Sequence, residues 1–100
     1  MVQIKWTFQA KDDLRSIADY ISRDSRLYAK LQIIRIRNRT RPLKSQIRLG
    51  KIVSEIDKKD IRELIEGRYR IIYKIVSKNR IDILTIHHSS RDLERRKINT

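Results

Sequence analysis

Arg70, His87 and His88 are the residues whose types and spacing could do chemistry together. In "YRIIYKI", Tyr69, Ile71, Tyr73 and Ile75 alternate with Arg70, Ile72 and Lys74, so a strand here would turn the first set into a core and leave Arg70 on the opposite face. The run "IDILTIHH" reads as the next strand, with Ser77-Lys78-Asn79 as the turn between. If Lys78-Asn79 is a two-residue turn, Arg70 lies opposite His87; a loop one residue longer puts it opposite His88. "IDILTIHH" does not alternate cleanly, so both registers stand. Either one brings a guanidinium and an imidazole within side-chain reach, an arrangement able to bind phosphate and move a proton. The plainer reading is a solvated cationic face. Adjacent histidines point to opposite faces of a strand and cannot ligate one metal, so the expectation is one packed, one exposed and no metal site.

A second cluster is purely cationic. Arg35, Arg37, Arg39, Arg41, Lys44, Arg48 and Lys51 follow one another with no acidic residue between them. The first four fall at every second position, as on one face of a strand, but Ala29, Ile33, Ile36, Thr40 and Leu43 recur at spacings of three and four across the same stretch. The period is therefore helical. At about 100° per residue, Arg35 and Arg39 stack on one flank of the apolar stripe and Arg37 and Arg41 on the other. Such blocks are usually solvated; otherwise they bind polyanions or acidic proteins.

The elements that must hold these residues follow from spacing. Val2, Ile4 and Trp6 alternate with polar residues as a half-buried strand does. Thr7 can cap a helix over about 8–23, in which Ala10, Leu14, Ile17 and Ile21 form the apolar face and Asp12 and Asp13 sit near the positive end of the dipole. "SRDSR" is the break, with Ser25 or Asp24 capping the second helix. Leu27, Leu31 and Ile34 make a second apolar patch suited to packing on the first helix, and Pro42 should end or kink the second. Strands are expected over Ile52–Ile56, Ile61–Ile65, Tyr69–Val76 and Ile81–His88, with a turn at Glu66-Gly67. The reading is an α+β fold: an N-terminal strand, a two-helix hairpin, then antiparallel strands forming one sheet with both helices on one face.

One hundred residues make a single domain over 1–100, whose segment 89–100 is a polar, basic tail or short helix. With 39% hydrophobic residues the chain should fold, and its charge of +13 suits polyanions or a strongly acidic protein. The absence of cysteine excludes disulfides, thiolate zinc sites and a cysteine nucleophile, and fits the cytosol. No apolar run approaches the roughly 18 to 20 residues of a membrane span, and "MVQIKWTFQAKDD" lacks the pattern of a signal peptide. No Gly-rich phosphate loop, aromatic RNA-binding signature or Ser/His/Asp triad is apparent, and no cofactor is implied.

Taken in order, "WTFQAKDDLRSIADYI", "LGKIVSEIDKKDIRELIEGRYRIIYKI" and "HHSSRDL" resemble the RelE/ParE superfamily of bacterial toxins from toxin-antitoxin modules, over nearly the whole chain. The resemblance implies a sheet backed by two helices, an antitoxin that wraps the toxin in a hetero-oligomer, and one of two activities. RelE-like members cut mRNA in the ribosomal A site. ParE-like members poison DNA gyrase and cleave nothing themselves. Arg70 matches the arginine of the nuclease branch, His88 falls near a histidine used in one sub-branch, and Glu55 is the candidate for the second proton-transfer group. Where lysine-dependent nucleases carry basic residues, this chain has Ile61 and Glu63, and no aromatic acid-base residue follows His88.

The "IREL" strand and "H..RD" ending resemble the ParE side, so gyrase poisoning is the favoured expectation and ribosome-dependent mRNA cleavage the alternative. A third reading, a plain nucleic-acid-binding module, has charge in its favour but nothing that reads bases. For the first reading, Arg35, Arg37, Arg39, Arg41, Lys44, Arg48, Lys51 and Arg91 are the candidates for binding the target or an acidic antitoxin.

Overall fold

The computed structural model describes residues 1–99. Its elements are β1 (Gln3–Trp6), α1 (Phe8–Ser22), α2 (Arg26–Thr40), a 3-10 turn (Arg41–Lys44), β2 (Lys51–Ile52), β3 (Ile61–Glu66), β4 (Tyr69–Ser77), β5 (Arg80–His88) and a second 3-10 turn (Leu93–Arg95). Both helices begin at the expected kind of cap: Thr7 Oγ1 accepts the Ala10 N–H, and Ser25 Oγ accepts the Tyr28 N–H. Pro42 brings α2 to an end at Thr40, after which the chain tightens into the 3-10 turn.

The sheet has the order β1-β5-β4-β3-β2. The strands from β2 to β5 pair antiparallel, while β1 joins β5 in parallel, so the sheet is mixed. Both helices lie on one face, where Ala10, Leu14, Ile36 and Leu43 pack against Leu64, Ile71, Tyr73, Ile81, Ile83 and Ile86. The other face carries a second cluster of Val53, Ile61, Ile72, Leu84 and Leu93, with Ile56 and Ile98 packed on it. This second cluster means that the 89–99 segment is more than a tail. Leu93 is buried, and Gln9 holds the chain end through Nε2 to the Lys97 carbonyl and Oε1 from the Asn99 N–H, both 3.0 Å. Thr100 lies outside the described residues.

Two expectations are corrected. The strand expected over Ile52–Ile56 is only Lys51–Ile52. Beyond it the chain turns, with the Ile56 and Asp57 amides both bonding the Val53 carbonyl and Asp57 at φ 56°, so that Val53 and Ile56 reach the same apolar cluster three residues apart. Val53 and Ile56 are thus covered while Ile52 stays exposed. Leu27, Leu31 and Ile34 do not pack on α1: they are 67%, 37% and 42% exposed. They stand opposite the Ala29–Ile33–Ile36 stripe around α2, and the helix hairpin is a single layer, so among the described residues nothing buries them.

The end of the sheet nearest the basic block is fixed by Tyr73 and Gly50. The buried Tyr73 hydroxyl donates to the Ile47 carbonyl and accepts from the Gly50 N–H, each at 2.9 Å. At Gly50 a Cβ would stand 2.5 Å from the Glu63 carbonyl oxygen, which only glycine permits. Arg62 Nη1 donates to the Gly50 carbonyl at 2.9 Å from the neighbouring strand.

Candidate functional site

Arg70 enters β4 on the face away from the helices, opposite His87 in β5. Lys78-Asn79 is the two-residue turn, since Ser77 pairs with Arg80; two register shifts, at Ile72/Tyr73 and Ile75/Ser77, cancel. The irregular alternation of "IDILTIHH" comes from these shifts. On the adjacent strand Glu63 is 4% exposed and takes Arg70 Nε at 2.9 Å and Nη2 at 2.7 Å. From the turn after β2, Glu55 takes the outer edge of the guanidinium, Nη1 at 2.6 Å and Nη2 at 2.8 Å. Two carboxylates therefore occupy both edges of the fork. The hydrogen bonds from Arg70 hold the Glu55 carboxyl down at about 2, and the same bonds raise the Arg70 pKa.

The histidines part company. His87 is the packed one: its Nε2 is 3.0 Å from the Arg91 carbonyl, which can only accept, so the proton is on Nε2 and Nδ1 is turned toward Arg96. His88 pairs with Tyr69 on the helix-facing side, with the two rings edge to face at 5.4 Å. Its Nδ1 accepts the Ser90 N–H at 3.2 Å and lies 2.6 Å from Ser90 Oγ. Arg70 and Glu55 are thus brought together as an ion pair, while His88 belongs to the opposite face of the sheet. It opens instead on a groove of about 950 Å³ between α1 and the end of β5, lined also by Tyr20, Tyr69, Ser90 and Arg91.

One junction of this groove escaped the sequence reading. β1 covers β5 only as far as Ile83, leaving an open strand edge beyond it. Asp13 accepts the Ile86 N–H at 3.0 Å and the Thr85 hydroxyl, Arg96 donates to the Ile86 carbonyl at 3.2 Å, and Asp13 and Arg96 form an ion pair. A side-chain pair stands in for the missing strand. The sequence signal was present: Asp13 lies three residues after Ala10 and four before Ile17, on the side of α1 that faces the sheet.

Among the basic candidates, Arg37 lies over Trp6 with its guanidinium carbon 5.3 Å from the ring centroid, and Arg39 Nε donates to the Ile65 carbonyl at 3.2 Å. These contacts lie on the two flanks of α2 that the helical period assigns. Arg35, Arg41, Lys44, Arg48 and Lys51 are exposed, as is Arg91, and among the described residues none of them forms an ion pair.

With this arrangement in hand, residues 4–93 match the family described as ParE toxin of type II toxin-antitoxin system, parDE. The chain belongs to the ParE toxin family. The matched region begins in β1 and closes at Leu93, so it takes in both helices and all of the sheet but Gln3. Within the curated relatives, this ParE-family toxin is 29% identical over 91 residues to "Toxin RelE2" of Caulobacter vibrioides, covering 91% of this chain and 99% of that protein. A solved structure titled "Chromosomal ParDE TA system from P. aeruginosa" superposes with a TM-score of 0.71 at 25% identity, covering 88% of this chain and 96% of that one. The two names divide between the branches of the superfamily, and the family match falls on the ParE side.

Proposed function

We propose that this ParE-family toxin acts by poisoning DNA gyrase and is held in check by an acidic, amphipathic segment of its antitoxin. The observation that carries the choice of target is Arg70. Cutting RNA needs a base for the 2′-hydroxyl proton, a free cation for the developing phosphate charge and an acid for the leaving oxygen. Here the cation is filled on both edges by Glu55 and Glu63, the candidate base Glu55 is too weak a base at about 2, and His88 lies on the other face. A gyrase poison needs none of these roles, only a surface that traps the enzyme on cleaved DNA.

The antitoxin reading rests on the outer side of α2. Leu27, Leu31 and Ile34 recur at four and three residues along an exposed ridge, with Arg37 and Arg41 on one flank and Arg35 and Arg39 on the other. An amphipathic segment would lay apolar side chains on the ridge and carboxylates on the flanks.

Purified gyrase with supercoiled plasmid tests the target: added toxin should accumulate cleaved, protein-linked DNA, and expression in bacteria should cause DNA damage before translation stops. His88→Ala should leave this effect largely intact. The proposal fails if programmed ribosomes with the toxin yield codon-positioned mRNA cuts that vanish in His88→Ala while gyrase stays fully active.

A further inference from the structure

From Ser25 to Ser54 the chain holds nine Lys and Arg and not one Asp or Glu. At about 100° per residue, Arg26, Lys30, Arg37 and Arg41 fall within about 60° of one another around α2. All four are exposed, as are Lys44 and Arg48, which carry the run past the helix end. By helix rise, Arg26 and Arg41 are about 22 Å apart along the axis, with Arg37 and Arg41 about 6 Å apart. Among the described residues none of the six forms an ion pair; Arg70, Arg80, Arg95 and Arg96 do. Arg37 stacks on Trp6, the one tryptophan of the chain.

We propose that this row binds the phosphate backbone of duplex DNA, so that the toxin itself grips DNA without an intermediary protein. A duplex strand offers a line of regularly spaced monoanions, and holding it takes exposed, unpaired cations on long arms, set in a line. Arg26, Lys30, Arg37 and Arg41 have that geometry, and the stretch that carries them holds no carboxylate. It includes no aromatic side chain on which unpaired bases could stack, which sets single strands aside, and nothing in it reads base edges, so binding is independent of sequence. The net charge of +13 adds long-range attraction, while the row supplies the place of contact. This inference goes beyond the gyrase reading and stands without it, because the contact needs no gyrase.

The test is titration of a fluorescent 25-base-pair duplex with the full chain over a range of salt, reading anisotropy and, in parallel, the emission of Trp6. Affinity should fall linearly on a log-log plot against salt. The variant Arg37→Gln/Arg41→Gln/Lys44→Gln/Arg48→Gln should lower the magnitude of the slope by about three to four, at about 0.9 per phosphate contact. An equally charged control, Lys11→Gln/Lys58→Gln/Lys78→Gln/Lys97→Gln, changes exposed positions off the row and should keep most of the slope. In the unsubstituted protein, saturating duplex should quench or shift Trp6 emission as phosphate draws on Arg37. The proposal is overturned if both quadruple variants lose the same slope, if Trp6 emission does not respond, if single-stranded RNA binds in preference to the duplex, or if no duplex binds at low salt. A failure here leaves the gyrase assay free to succeed.

Discussion

Glu63 and Arg70 lie diagonally across β3 and β4 on one face of the sheet, Glu63 pairing with Ile72 and Arg70 with Ile65, and are joined by two parallel hydrogen bonds, Nε to Oε1 at 2.9 Å and Nη2 to Oε2 at 2.7 Å, with the carboxylate almost wholly out of solvent. A carboxylate so placed depends on its cation. Arg70→Ala should cost about 3 to 5 kcal/mol of stability, because it leaves a buried charge unpaired. Replacing both partners, Glu63→Leu with Arg70→Met, should recover most of that loss. Chemical denaturation of the three proteins measures it, and a double variant no better than Arg70→Ala would remove the ion pair from the account.

Glu55 holds the other edge of Arg70, and its folded pKa of about 2 lies below the ordinary 4.5. A depressed carboxylate pKa contributes stability that is fully present above the unfolded value and lost as pH falls through the folded one. The melting temperature should therefore drop between about pH 4.5 and pH 2, and Glu55→Gln should be less stable at neutral pH and show a flatter acid profile. Equal slopes in the two proteins over that window would show that the pair contributes nothing.

Tyr73→Phe removes one hydroxyl and orphans two backbone groups, the Gly50 N–H and the Ile47 carbonyl. The expected cost is about 1 to 3 kcal/mol. Gly50→Ala should be at least as harmful, since its Cβ meets the backbone oxygen of Glu63 in a paired strand. Thermal unfolding of both variants checks this; a neutral Gly50→Ala would mean that the loop after the 3-10 turn moves freely away from β3.

What the sequence made legible was local and periodic. Thr7 declared the first helix start, and Ser25 or Asp24 the second, because a cap is read from its neighbours within four residues, and Ala29, Ile36 and Thr40 declared the buried side of α2 by their spacing. The register at Arg70 was narrowed to two possibilities by the length of one turn. Glu55 meeting Arg70 was out of reach, because it requires the chain to leave the sheet at Val53 and fold back, which happens as Val53 and Ile56 pack on the distant Ile61, Ile72 and Leu84. The spacing of Asp13 puts it on the side of α1 that faces the sheet, but its partners are 72, 73 and 83 positions away and could not be named from it. A parallel β1 could not be read from Val2, Ile4 and Trp6, since alternation is the same in either direction.

The outer ridge of α2 separates packing from recognition most cleanly. Ile36 is buried and Leu31 and Ile34 are exposed on the other side of the same helix. Ile36→Asp should abolish folding, because an unpaired buried carboxylate costs several kcal/mol against a total of about 5 to 15. Leu31→Ser with Ile34→Ser should fold normally yet release the antitoxin faster, the loss appearing in the dissociation rate. Arg35→Glu with Arg39→Glu, by contrast, should mainly slow association and reduce its dependence on salt, as rim charges do. Stopped-flow binding at low and physiological salt distinguishes the two effects. Antitoxin kinetics left unchanged by both pairs of substitutions, in proteins that melt as the parent does, would take the antitoxin off this face of the toxin.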